Sequence, residues 1–360
     1  SLIIGHSTTG TLDAATYNTA LGLTALDAIT SGDSNTALGW GALTANTTGT
    51  LNTAIGKDSM DSNTTGSSNV AVGTDCLQNN STASYNTAVG VGSLGTNSTG
   101  ADNTSVGYYA LLNSTTASNN TAVGKEALKE NTTGASNVAV GHSALGANTT
   151  GANCTAIGLN ALTANTTANT NTAVGKDALA ANTTGEKNIA VGFQAGLTST
   201  TTSANSALGY KALKVNTGTQ NTAVGSEALT ANTTAIRNTA IGYKALYANT
   251  TGYNNTAIGS DVLLANTTGY QNIAVGERTM TANTTGDNNT AVGHMALEAN
   301  TTANTNTAIG FNSLKANTTA ADCTAVGAES LKTNTTGGSN TAVGKSALMD
   351  NTTGLYNTAV

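Results

Sequence analysis

Small, aliphatic and polar residues follow one another in a fixed order that repeats along nearly the whole chain. The phrase Asn-Thr-Ala-Val-Gly, with Cys154 in one copy of its first position, recurs every 17 residues from Asn18 to Asn205. One interval of 16 residues then leads to Asn221, and the 17-residue spacing continues to Asn357. The consensus unit is NTAVGxxALxxNTTGxx, and its positions are numbered 1 to 17 below. A short, constant period of this kind predicts a stacked repeat architecture.

The apolar and small residues have fixed places within the unit. Position 3 is alanine in nearly every unit, position 4 is Val, Ile or Leu, position 5 is glycine, and position 9 is almost always Leu or Met. Asn, Thr and Gly are poor helix formers, and no apolar stripe with a helical period fits the unit. We therefore predict an all-β fold, a single-chain parallel β-solenoid of about 21 coils that rises about 4.8 Å per coil to a length of about 100 Å.

Each coil is predicted to contain a strand at positions 2 to 4, a bend at the glycine of position 5, a second strand around positions 8 to 11, and a turn at NTTG. Position 2 accepts Val70, Val138, Ile189 and Ile273, so we expect it to point inward together with position 4. Positions 3 and 5 then face the opposite way. Because they admit almost nothing larger than alanine, we expect this Ala/Gly face to pack closely against either another part of the same coil or another chain, and we favour another chain.

The repeat also sets the predicted domain organisation. Residues 1–17 form a degenerate first coil, and residues 18–360 form the regular solenoid, with one 16-residue unit at 205–220. The chain has 360 residues, no proline, 41 glycines, 4% aromatic and 9% charged residues. Aromatics are too few for conventional cores, yet 38% apolar residues are too many for a disordered tail. A uniform architecture with a thin aliphatic interior explains both numbers.

The asparagine of position 1 is predicted to form a ladder. In a parallel stack each position lies over its own copy in the next coil, and stacked Asn side chains hydrogen-bond up and down such a column. Proline is absent because each coil must both donate to and accept from its neighbours. The predicted ladder residues are Asn35, Asn52, Asn69, Asn86, Asn103, Asn120, Asn137, Asn171 and Asn188.

With Ala-Val-Gly or Ala-Ile-Gly after an Asn-Thr step, and Ala-Leu three residues later, the chain resembles the head repeats of trimeric autotransporter adhesins. It is also similar to the repetitive shaft segments of phage tail-fibre proteins. The resemblance implies a parallel β-roll, left-handed, in which three chains pack into a rigid fibre at a cell or virion surface. The NTTG segment makes this unit longer than the typical adhesin head repeat.

Candidate chemical groups do not cluster in the sequence. His6, His142 and His294 all occupy position 6, and the closest pair is eight coils or about 38 Å apart. Cys154 and Cys323 replace ladder asparagines ten units apart, and Cys76 replaces the alanine of position 8. We therefore expect no metal site, no cofactor, no disulfide and no enzymatic activity. The net charge of −6, spread over the chain, and the short apolar runs disfavour nucleic acid and membrane insertion.

The leading functional prediction is a structural rod in an extracellular fibre that spaces and presents a binding domain. Self-association is expected, with a trimer favoured, through the Ala/Gly face or end to end. The aromatic rings that recur at position 6 could give weak adhesion to a host surface glycan, but we favour the interpretation that they cover neighbouring coils. The rings belong to Trp40, Tyr108, Phe193, Tyr210, Tyr243 and Phe311.

Two other functions compete with the rod. Ice or crystal-surface binding needs a flat, outward array of paired threonines; position 2 is expected to point inward, and positions 13 and 14 are adjacent in a turn, so the pattern argues against it. Glycan display is the second, because NTT is a glycosylation sequon. It would make the chain a glycosylated or filament-forming surface protein. The possible sites are Asn46, Asn63, Asn131, Asn148 and later copies.

Overall fold

The computed structural model describes residues 2–4 and 15–360 and confirms the predicted fold class. The chain is an all-β parallel β-solenoid with 17-residue coils, and it divides into two compact units, Ser1–Thr184 and Gly185–Val360. Each described coil contributes one strand, three residues long except for the two-residue last strand, which pairs in parallel with the strand of the neighbouring coil. Of the predicted first coil, the structure describes the strand Leu2–Ile4 and residues 15–17, and the rest lies outside the described residues.

The described residues of the first unit form eleven strands. In chain order they are β1 (Leu2–Ile4), β2 (Thr19–Leu21), β3 (Thr36–Leu38), β4 (Thr53–Ile55), β5 (Val70–Val72), β6 (Thr87–Val89), β7 (Thr104–Val106), β8 (Thr121–Val123), β9 (Val138–Val140), β10 (Thr155–Ile157) and β11 (Thr172–Val174). The second unit contains β12 (Ile189–Val191), β13 (Ser206–Leu208), β14 (Thr222–Val224), β15 (Thr239–Ile241), β16 (Thr256–Ile258), β17 (Ile273–Val275), β18 (Thr290–Val292), β19 (Thr307–Ile309), β20 (Thr324–Val326), β21 (Thr341–Val343) and β22 (Thr358–Ala359).

Within each unit every strand pairs with the next in chain order, and like positions face each other. Thr239 pairs with Thr256, for example, and Ala240 pairs with Ala257. The 16-residue coil keeps this register, because Ser206 pairs with Thr222 in the next coil. Each position therefore forms a column along its unit, as the repeat predicted.

The orientation of the strand is opposite to the prediction. The alanine of position 3 points inward, and Ala240, Ala257 and Ala274 are fully buried, whereas positions 2 and 4 face outward. The alanine packs against position 8 of the adjacent coil: the Cys76 thiol lies 3.2 Å from the Ala88 carbonyl oxygen. The predicted packing of an Ala/Gly face on another chain is therefore wrong, because the alanine column is the core of the coil itself.

The predicted second strand at positions 8 to 11 is also wrong. Positions 6 to 11 form consecutive turns, because positions 7 and 9 adopt left-handed backbone angles, as at Lys244 (φ 50°) and Leu246 (φ 52°). Neighbouring coils still bond along these turns. The Leu246 N–H donates to the Val262 carbonyl of the next coil at 3.0 Å, and the Lys244 N–H donates to the Ser226 carbonyl of the previous one at 3.0 Å. Position 17 is left-handed as well, as at Arg237 (φ 56°).

The backbone conformation of the coil explains why position 5 is glycine. The predicted explanation was contact with another chain. Gly225 has a φ of 136°, a backbone conformation that residues with a Cβ atom rarely adopt. A Cβ atom on Gly225 would also overlap the carbonyl group of Gly242 in the next coil. Both constraints recur in successive coils, so the position is glycine throughout the repeat.

Candidate functional site

The asparagines of position 1 hydrogen-bond to the next coil and are almost completely buried. The Asn35 side-chain Oδ1 accepts from the Asn52 backbone N–H at 3.0 Å, and Asn35 Nδ2 donates to the Gly49 carbonyl at 2.9 Å. The predicted ladder is confirmed as a hydrogen-bonded column for Asn35 to Asn137, but its main link runs from side chain to backbone. Asn171 and Asn188 are buried in the same column, and Asn188 Oδ1 accepts from the Asn205 N–H at 3.0 Å.

A second asparagine column, at position 12, was not predicted as a ladder. Asn63 Nδ2 donates to Asn46 Oδ1 in the previous coil at 2.8 Å and to the Gly66 carbonyl at 3.0 Å. These side chains link amide to amide along the unit. The signal in the sequence is as plain as at position 1, since both columns are nearly all asparagine, but the NTTG context indicates only a turn.

The proposed glycosylation sites lie in this second column and are closed. Asn46, Asn63, Asn131 and Asn148 are fully buried, and the Nδ2 atom that would carry a glycan is occupied by hydrogen bonds to neighbouring groups. A sugar on any of them would open the coil. Glycan display at these asparagines is therefore incompatible with the folded solenoid.

The outward columns of the sheet are positions 2 and 4. Position 4 exposes aliphatic side chains, such as Ile309 at 40%, and position 2 exposes threonines with occasional aliphatics, such as Ile273 at 46%. None of the position-2 threonine hydroxyls in the described residues makes a hydrogen bond within the chain. The sequence places no charged residue in either column. The result is a neutral face of methyl and hydroxyl groups along each unit.

The aromatic residues of position 6 are exposed, as predicted, and each contacts a neighbour. Phe193 and Tyr210 stack with ring centroids 5.6 Å apart and planes at 12°. The Lys57 ammonium lies 5.0 Å above the Trp40 ring of the previous coil. Similar contacts join Tyr108 to Tyr109, Tyr210 to Lys211, Tyr243 to Lys244 and Phe311 to His294. The contacts at Trp40, Phe193, Tyr210 and Phe311 join neighbouring coils, whereas Tyr108 and Tyr243 contact the residue that follows them in the same coil.

A groove of about 530 Å³ runs over several coils of the second unit. Its floor includes Ala282, Ala299 and Ala316, and its wall carries charged side chains. Arg278 lies 2.6 Å from one carboxylate oxygen of Glu298, and Lys315 and Lys332 also have carboxylate partners. Because each cation of the wall is already paired, the groove does not define a charged ligand.

Cys76, Cys154 and Cys323 are buried and form no disulfide. Burial raises the pKa of the Cys76 thiol to about 12, so this side chain stays protonated, and burial also raises the pKa of Cys323. Cys154 Sγ lies 3.4 Å from the Ala168 carbonyl oxygen, where a position-1 asparagine would place its amide. Among residues 2–4 and 15–360, no group of three or more His, Cys, Asp or Glu side chains could hold a metal ion. His6 lies outside the described residues.

In the described part of the chain, no helix has the length and apolar character that crossing a membrane requires. No protein-family model and no curated protein matches the sequence.

Proposed function

We propose that this chain is a structural segment of an extracellular fibre, at a cell or virion surface, that spaces and presents a binding domain. The observation that carries the proposal is the uniformity of the coils. In both units the same strand, the same turns and the same two asparagine columns recur at 17-residue intervals. A spacer needs identical, stiff units more than it needs a pocket.

The backbone hydrogen bonds between adjacent coils explain how such a segment would resist bending. Along the strand, the Thr239 N–H donates to the Asn255 carbonyl at 2.8 Å. Along the first turn, the Ala248 N–H donates to the Leu264 carbonyl at 3.1 Å, and along the NTTG turn the Thr250 N–H donates to the Thr267 carbonyl at 2.9 Å. Backbone bonds on all sides of the coil hold each coil against its neighbour, which favours a rigid stack.

Self-association remains part of the proposal, with a trimer as the form that the resemblance implies. Since the alanine column is internal, an oligomer would have to form through outward-facing positions or end to end. Weak adhesion to a host glycan would likewise depend on the exposed rings of position 6. Neither contact is required for the spacer role.

Solution scattering and electron microscopy of the purified chain test the proposal. We expect an elongated particle. Its longest dimension should be about 100 Å, the length that 21 coils of about 4.8 Å give. Light scattering should give a mass that is a multiple of 35.4 kDa if the chain self-associates. A compact particle would overturn the spacer role, and a monomer at micromolar concentration would overturn only self-association.

A further inference from the structure

The face formed by positions 2 and 4 has a regular surface chemistry that the spacer role does not use. In the second unit, Thr290, Thr307, Thr324 and Thr341 follow one another in consecutive strands. Beside them runs an unbroken aliphatic column, with Val292, Ile309, Val326 and Val343 at position 4. Each threonine presents one methyl and one hydroxyl group without an internal partner, and the alanine between the two columns points away from the surface.

The register fixes the spacing of these groups in two directions. Like positions in paired strands are about 4.8 Å apart, and positions 2 and 4 of one strand are about 6.6 Å apart. The first spacing is close to the repeat between water oxygens along the a axis of hexagonal ice, and the second is slightly shorter than the repeat along its c axis. A rigid grid of methyl groups orders the water above it, and the hydroxyls hold that water by hydrogen bonds.

We propose that this sheet face binds the surface of ice crystals. Water over the threonine and aliphatic columns takes up positions that match the crystal, and this layer joins the protein to the ice. The neutrality of the face supports this occupant, because a charged group would bind its own hydration shell and break the pattern. All charged residues of the described coils lie at other positions of the unit.

A second copy of the chain fits this face less well. Specific protein interfaces depend on buried anchors such as Trp, Tyr and Arg, and neither column contains one. Because each coil repeats the one before it, two copies could also slip by one coil without losing contacts, so nothing would fix their register. Ice has a translational repeat of its own, and the same periodicity that leaves a protein partner unspecified suits a crystal.

Position 2 faces outward, so the first objection to ice binding from the sequence does not hold, and the second, that positions 13 and 14 are adjacent in a turn, concerns another part of the coil. The exchange of Thr for Val or Ile, as at Ile273, predicts an inward position, but Ile273 is exposed. In an outward column these exchanges keep the methyl groups and remove only a hydroxyl. The face therefore remains continuous through such coils.

Thermal hysteresis of the purified full chain, measured on a single ice crystal in a nanolitre osmometer, tests the proposal. We expect a freezing point below the melting point and faceted crystal growth. The variant carrying Thr307→Tyr and Thr324→Tyr places two protruding rings on the face, and we expect it to lose most of the hysteresis. Its circular dichroism spectrum and melting temperature should stay close to those of the parent, because tyrosine is a good strand former.

The matched control carries Thr302→Tyr and Thr319→Tyr at position 14, which is exposed in the NTTG turns of the same region. This control should keep the hysteresis of the parent. The proposal is overturned if the parent shows no hysteresis at millimolar concentration, or if the control loses as much as the face variant. It is also overturned if the parent forms a stable oligomer that the face variant alone converts to monomers, since the face then contacts a second copy.

Discussion

At the scale of single residues, asparagine is the side chain that lets a small interior be polar. Each position-1 amide bonds to a backbone N–H of one coil and to a carbonyl of the NTTG turn, while position 12 bonds amide to amide. Buried polar groups are tolerated when their hydrogen bonds are complete and costly when they are not. A single break in a column should therefore be measurable.

Ser114 is such a break, and replacing it should stabilise the protein. Serine stands there in place of the position-12 asparagine, and both its hydroxyl and the Asn97 Oδ1 lack a hydrogen-bond partner. Ser114→Asn would donate to Asn97 Oδ1 and join the two parts of the column. We expect a gain of about 1 to 3 kcal/mol in the free energy of unfolding, measured by urea denaturation.

The matched control creates the same break elsewhere in that unit. Asn148 donates to Asn131 Oδ1 at 2.8 Å and accepts from Asn165 Nδ2 at 2.8 Å. Asn148→Ser should therefore lose about as much stability as Ser114→Asn gains. Equal and negligible effects of the two changes would contradict the role assigned to the column.

The Cys76 thiol predicts a pH dependence. Because burial raises its folded-state pKa to about 12, the folded protein keeps a proton that the unfolded chain loses from about pH 8.5 upward. The contribution of this thiol to stability is therefore fully present below that pH and is lost as the pH rises toward about 12. Native Cys76 should resist iodoacetamide at pH 9, as mass spectrometry would show, and should react in urea. Rapid labelling of the native protein would contradict its burial.

At the scale of the coil, the bend at position 5 should be intolerant of any side chain. Gly225→Ala would place a methyl group at φ of 136° and against the Gly242 carbonyl. We expect a loss of about 1 to 3 kcal/mol, seen as a lower melting temperature. Gly252→Ala is the control matched for crowding: a Cβ there would also overlap a carbonyl of the next coil, but position 15 needs no positive φ and is alanine in other coils. Similar losses at both sites would show that crowding, rather than backbone conformation, decides.

Some features of the coil could be predicted from the sequence, and others could not. Period, parallel stacking and the asparagine column follow from residues that recur at one spacing, so they could be predicted. Which side of the strand points inward could not be predicted, because Thr, Val and Ile are strand formers on either face. The prediction of a second strand was wrong for another reason. Leu246 and its equivalents adopt a left-handed conformation that leucine rarely shows, so no residue type in the sequence indicates the turn.

Of the two candidate surfaces, one could be predicted from the sequence and the other could not. The exposed rings of position 6 were predictable, because charged residues share that position. The methyl and hydroxyl face at positions 2 and 4 was missed, since its recognition depends on knowing which side of the strand alanine occupies. Burial of Ala240 and exposure of Ile241 decide that question, and the sequence alone shows neither.

At the scale of the whole molecule, coils that contact only their neighbours should be removable as complete units. Deleting residues 289–305 would bring Asn306 onto the column of Asn272 with every position still facing its own copy. We expect a folded protein with an unchanged circular dichroism spectrum per residue. Deleting residues 289–296, which shifts every column, should cause much larger losses of structure. Equal tolerance of both deletions would contradict column matching as the source of stability.

The 16-residue coil points to a use for the NTTG turn. There the turn is one residue shorter, yet Asn216 Nδ2 still donates to the Gly218 carbonyl at 2.9 Å and Asn232 still donates to Asn216 Oδ1 at 2.7 Å. The two amide columns thus hold the coil while the chain between them changes length. A foreign peptide inserted in this turn of successive coils would be displayed as a row of copies, one per coil. The distance between copies would be the distance between coils, and the number of coils would set the number of copies.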